Sequence, residues 1–136
     1  MAGAQPHGHF LAAEVGELAG VSGNTIGQWA RWGYIPSSVS DGEPRVYSVE
    51  DVAEAAIVGE LLRRGVRHRD VRGAITYLPE YGAWPLSEAP LATTPEARLL
   101  LLRENGEIYA LSARGWQLMS VPPEVEDVRL RLQRVG

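Results

Sequence analysis

The chain has 136 residues and no cysteine, so disulfides, thiolate metal sites and cysteine nucleophiles are excluded. Apolar residues make up 45% and charged residues 22%, a balance that supports a packed core and excludes wholesale disorder. Thirteen basic residues, all arginine, face 17 acidic ones for a net charge of −4, so any nucleic-acid contact must come from a local basic patch.

Residues 1–9 hold two glycines, a proline, His7 and His9, and read as a flexible tail. They show neither the basic start nor the apolar stretch of a secretory signal, and no apolar run approaches a membrane span, so a cytoplasmic location is expected. Leu11, Val15 and Leu18 recur at i, i+4 and i+7 and predict the inner face of a short helix that Gly20 stops. Ser22 is a good N-cap for a second helix over 23–32, with Ile26, Trp29 and Ala30 inward and Gly33 just past its end. Two short helices joined by a glycine-containing turn make a helix-turn-helix.

Residues 35–47 cannot continue a helix. Val39 and Val46 flank the Asp41-Gly42 turn signal and predict a small β-wing. Ser48, with Asp51 three residues on, caps a third helix whose inner face is read as Val49, Val52, Ala53, Ala56, Ile57 and Leu61, ending at Gly65. Val71, Ala74, Ile75 and Leu78 mark a fourth helix. Residues 82–97 read as a proline-rich linker, although Trp84 and Leu86 suggest that it packs on something. The pattern then turns to strands. Residues 98–103 form an apolar run, Asn105-Gly106 is a strong hairpin signal, and Ile108, Tyr109 and Leu111 form the return strand. Residues 116–121 predict a third strand, and Val128, Leu130 and Leu132 alternating with arginines predict a fourth. The fold class is therefore α+β. A helical unit over 10–81, with four helices and a wing, precedes a small antiparallel β unit over 98–136 that is too small to be stable alone.

Catalysis finds no support: His68 is the one histidine within the predicted folded region, and neither a phosphate loop nor a metal-ligand spacing is present. No cofactor, metal site or enzyme activity is expected. DNA binding is better founded. Once Ile26, Trp29 and Ala30 are buried, the second helix turns Asn24, Thr25, Gln28 and Arg31 outward, with Trp32 at the edge. Amides and arginines read base edges in the major groove. The helix start at Ser22 offers free N–H groups to a phosphate. The competing reading is the plain polar side of an amphipathic helix. Arg45 and Tyr47, alternating on the wing strand, favour DNA through phosphate contacts.

Residues 11–78 resemble the MerR-type winged helix-turn-helix. The resemblance runs through Glu14-Val15-Gly16-Glu17-Leu18-Ala19-Gly20-Val21-Ser22, Thr25-Ile26-Gly27-Gln28-Trp29 and Trp32-Gly33-Tyr34-Ile35-Pro36. It continues through Arg45-Val46-Tyr47-Ser48-Val49-Glu50-Asp51-Val52, Leu61-Leu62-Arg63-Arg64-Gly65-Val66 and Asp70-Val71-Arg72. It implies sequence-specific double-stranded DNA binding by a transcriptional regulator, with Thr25, Gln28 and Arg31 at the groove and Arg45 and Tyr47 on phosphates. The chain departs from the pattern at Gly23-Asn24 and Arg67-His68, and has a proline-rich stretch and strands where such regulators carry a long dimerising helix. Dimerisation is therefore expected through the β tail. That tail more faintly resembles MerR-like antitoxins of PIN-toxin modules, on Leu99-Leu100-Leu101-Leu102, Asn105-Gly106-Glu107-Ile108-Tyr109-Ala110-Leu111 and the Arg-Leu-Arg-Leu end. The alternative function is then neutralisation of a PIN-type ribonuclease toxin with autoregulation of the operon. A third reading is a small-molecule sensor with a pocket of Trp84, Trp116 and Tyr109.

Overall fold

The computed structural model describes residues 7–120 and 123–128. Helices α1 (Ala12–Ala19) and α2 (Gly23–Arg31) form the helix-turn-helix. Their close approach needs Gly16: a Cβ there would lie 2.5 Å from the Val21 carbonyl oxygen. This contact turns α1 so that Val15, Gly16 and Ala19 are buried, while Leu11 and Leu18, expected inward, are 44% and 62% exposed. Small residues win this face because they allow the two backbones to meet.

The tail is anchored earlier than its composition suggests. Phe10 pairs with Tyr47 in an antiparallel bridge, and the His7 carbonyl accepts from Val49 N–H at 2.6 Å. The wing is reduced to one bridge, Ser40 with Val46.

Helix α3 (Val49–Arg63) begins with the expected reciprocal cap: Ser48 Oγ accepts from Asp51 N–H, and the Asp51 carboxylate accepts from Ser48 N–H. Its buried side differs from the expected one. Val49 is half exposed and Ala53 is exposed, whereas Ile57, Val58 and Leu61 are buried together with Asp51, Glu54 and Glu60. Neighbours pack on α3 from two sides, α1 on one and α5 on the other. The buried acids are tolerated because each has partners. Glu60 accepts from Arg64 Nε at 2.8 Å. Helix α4 (His68–Thr76) buries Val71 and Ala74 as expected.

Residues 82–97 are not a linker. After a 3-10 turn at Pro79–Tyr81 they form a short helix, α5 (Pro85–Glu88), and strand β1 (Leu91–Thr93). The prolines sit where no N–H is needed: Pro85 opens α5, Pro90 precedes β1 and Pro95 lies in the turn after it. Strands β2 (Leu99–Leu102), β3 (Ile108–Ser112), β4 (Gly115–Leu118) and β5 (Glu126–Asp127) complete an antiparallel sheet in the order β4-β3-β2-β1-β5. The β2–β3 hairpin turns at Asn105-Gly106 as expected. Of these two turn residues only Gly106 takes the left-handed conformation, at φ 86°, and the loop closes by Arg103 N–H to Glu107 O and Gly106 N–H to Arg103 O. The β1–β2 turn repeats this design with Ala97 at φ 66° in the glycine position. Val128 is buried but lies beyond β5, and the rest of the expected last strand, 129–132, falls outside the described residues.

Leu91, Leu99 and Leu101 on one face of the sheet share a core with Val71, Leu78 and Leu86 of the helical part. Ala92, Leu100 and Ala110 form a second buried cluster on the other face. Helices and sheet therefore make one folded body among the described residues. None of the described helices is long and apolar enough to cross a membrane.

Candidate nucleic-acid interface

The start of α2 is fixed by Ser22, whose Oγ accepts from Thr25 N–H at 3.1 Å and lies 2.9 Å from Thr25 Oγ1. Ile26 and Trp29 are buried, which fixes the rotation of the helix. Asn24, Gln28 and Arg31 are then exposed and Thr25 is half buried. These four residues follow i, i+1, i+4 and i+7 spacing along one side of the helix.

Arg31 and Arg45 both line a hollow of about 620 Å³ between the end of α2 and the wing, together with Ile35, Ser37, Ser40 and Asp41. Arg45 Nη1 donates to Asp41 Oδ1 at 2.9 Å and to Ser37 Oγ at 3.1 Å. Ser37 Oγ also donates to the same Asp41 oxygen. Asp41 is 83% exposed, so its bond to Arg45 is open to competition from another anion.

Tyr47 departs from expectation. It is 0% exposed and cannot grip a phosphate from the surface of the wing. The strand alternation that placed it beside Arg45 fails because its backbone pairs with Phe10 at the base of the wing, where the chain enters the core. Its hydroxyl is buried with no hydrogen-bond partner among the described residues. Burial raises its pKa, and the nearby Arg45 charge opposes the rise.

Trp32 is 46% exposed at the end of α2. Its ring meets Tyr34 edge-on at 5.6 Å and His68 at 6.0 Å. The buried Tyr34 hydroxyl is hydrogen-bonded to His68 Nδ1 at 2.8 Å, and the Arg72 guanidinium lies 5.5 Å from the Tyr34 ring centre. Burial raises the Tyr34 pKa and Arg72 works against it. This cluster brings the start of α4, with exposed Arg67 and Arg69, to the end of α2. Reading the chain in order missed these residues. The sequence signal for them is the Arg67-His68-Arg69 triplet at a helix start.

The aromatic side chains of the sensor reading have separate partners. Trp84 Nε1 donates to Asp51 Oδ1 at 2.9 Å, Trp116 Nε1 to the Tyr77 carbonyl at 3.0 Å and the Tyr109 hydroxyl to Glu107 at 3.3 Å. They are structural props rather than a ligand cage. Among the described residues no group of three or more histidine, aspartate or glutamate side chains is placed to hold a metal ion.

Comparison with known proteins agrees with this geometry. The family described as MerR HTH family regulatory protein matches residues 11–78, which is half of the chain. No curated protein and no solved structure matches. The matched span runs from the residue before α1 to the end of the turn after α4, and so contains the helix-turn-helix, the wing and both supporting helices. The chain belongs to the MerR helix-turn-helix regulatory family.

Proposed function

We propose that the protein binds double-stranded DNA sequence-specifically, with α2 in the major groove and the wing on the backbone. The observation that carries this reading is the hollow shared by Arg31 and Arg45 at the end of an outward-facing polar helix surface. Asn24, Gln28 and Arg31 present the amide and guanidinium groups that pair with adenine and guanine edges. Ser22 and Thr25 hold the helix N-terminus, whose free N–H groups suit a phosphate. Arg45 exchanges Asp41 for a second phosphate. Trp32 sits at the rim of this surface, with Arg67 and Arg69 beyond it.

Two such units on a two-fold axis would read two half-sites. The exposed edge of β4, with Leu118 56% exposed, supports pairing between copies through the sheet. The protein acts as a regulator by occupying DNA, and no chemical step is assigned to it.

The test uses a duplex selected from a random pool by the purified chain. Arg31→Ala should weaken that duplex by about 1–3 kcal/mol and relax the preference at one base pair. Arg45→Ala should weaken selected and unselected duplexes alike and reduce the salt slope by about one unit. Identical behaviour of the two variants, or absence of duplex binding by the parent chain at low salt, overturns the reading.

A further inference from the structure

A second concavity, of about 730 Å³, lies between α4 and the sheet. Arg67, Arg69 and Arg72 come to it from the helical side and Arg98 from the β1–β2 turn. Leu111 and Tyr77 supply apolar wall. Four of the chain's 13 arginines thus meet in one cleft of a protein whose net charge is −4. The acids on the same lining, Asp70 and Glu96, offset only two of the four positive charges. Asp70 approaches Arg69 only to 4.0 Å, and neither Arg67 nor Arg98 makes an ion pair among the described residues. Guanidinium groups gathered this way repel one another unless an anion joins them. Their planar forks match phosphate oxygens two at a time.

The cleft is also built to hold its shape. At Gly73, α4 lies so near Leu111 that a Cβ there would be in van der Waals contact with the Leu111 methyls at 3.5 Å. Arg98 follows Ala97, a non-glycine residue held at φ 66° by a turn that Thr94 closes through both its carbonyl and its Oγ1. Strain of that kind persists where the surroundings over-determine it.

From the four arginines and the apolar wall we infer that the cleft between α4 and the β1–β2 turn binds the phosphate group of a ligand. Such a ligand bridges the helical part and the sheet. Arg72 links it to the recognition helix, because that side chain also covers the Tyr34 ring on which Trp32 and His68 rest.

The test is calorimetric titration of the full chain with inorganic pyrophosphate at low salt and without divalent metal. Saturable binding with a dissociation constant below about 1 mM is expected, weakened at least about tenfold in the Arg67→Gln/Arg98→Gln double variant. Arg114→Gln, a control at an exposed arginine off the cleft, should match the parent. All three substituted side chains are on the surface, and unchanged melting temperatures without ligand would confirm intact folding. A saturating duplex added to the parent distinguishes the source of the phosphate. Undiminished pyrophosphate binding marks a free phosphorylated ligand, and displacement marks a phosphate of the bound duplex backbone. Arg31→Ala should leave the pyrophosphate titration intact, so failure of the DNA reading and failure of this one are distinguishable. No saturable heat up to about 10 mM, or a double variant within about twofold of the parent, overturns the proposal.

Discussion

Replacing Glu54 by glutamine should change the sign of a stability difference between mildly acidic and alkaline conditions, or bring it close to zero at the acidic end. Glu54 is fully buried on α3 and accepts from the Leu86 and Ser87 N–H groups at 2.8 and 2.9 Å, so it caps α5 from a distance. Desolvation raises its pKa from 4.5 to about 7, with the two amide donors opposing the rise and Glu88 adding to it. The folded chain therefore binds a proton more tightly than the unfolded one. Between pH 4.5 and about 7 the folded state carries the extra proton, and stability falls as pH rises through that window. The stabilising contribution is complete below the lower value and is lost above the upper one. At about 1.4 kcal/mol per pKa unit, the loss is about 3 kcal/mol. Glutamine is neutral at every pH and resembles the protonated acid in shape and donor pattern. Near pH 5 the variant should lie within about 1 kcal/mol of the parent; near pH 8.5 it should be more stable by about 3 kcal/mol. Urea unfolding followed by circular dichroism at several pH values measures both. Parallel curves would show that Glu54 titrates alike in both states and would refute the reasoning. A difference that still changes by about 3 kcal/mol across this pH range, but is shifted throughout in the parent's favour, would show that the second lost amide bond adds a constant cost.

Two backbone positions give further expectations. Gly106→Val should cost at least about 1–2 kcal/mol because a branched side chain must enter the left-handed region, whereas Ala97→Gly should gain up to about 1 kcal/mol, both read by thermal unfolding; the opposite order would contradict the shared turn design. Gly16→Ala puts a methyl 2.5 Å from a carbonyl oxygen and should separate α1 from α2, lowering stability by about 1–3 kcal/mol and duplex binding with it; wild-type binding by the variant would show that the helix-turn-helix yields freely there.

What the sequence made legible was local. Ser22, Ser48 with Asp51, and the glycines at 20, 33 and 65 mark helix ends by chemistry that acts within four residues, and the helices begin and end close to them. The hairpin at Gly106 is of the same kind. Facial assignments failed where packing depends on distant partners. Leu11 and Leu18 looked like core by size, but the approach of α2 at Gly16 selects the alanine side. The sequence shows Asp51 only as a helix cap and gives no sign of Glu54, because their donors Trp84, Leu86 and Ser87 lie about thirty residues on. β1 was hidden by the prolines on either side of it. In the interface, the outward face of α2 followed from periodicity. The burial of Tyr47 depends on Phe10, and the approach of His68 to Trp32 depends on the path of α3, so neither leaves a local trace.

Those same distant donors decide how the two halves of the chain relate. The Asp51 carboxylate accepts from Ser38 N–H and Oγ ahead of the wing and from Ser48 N–H behind it, and its other oxygen accepts from Trp84. One turn further along α3, Glu54 holds the start of α5, which leads directly into β1. Two buried carboxylates three residues apart thus fix the wing on one side and the entry to the sheet on the other. Each carboxylate would be costly to bury without its donors. A displacement of α5 leaves Glu54 unpaired and takes Trp84 from Asp51, whose remaining donors all belong to the base of the wing. The placement of Arg45 against DNA is in this way tied to the packing of the sheet, although no residue of the sheet lies in the hollow that Arg45 shares with Arg31.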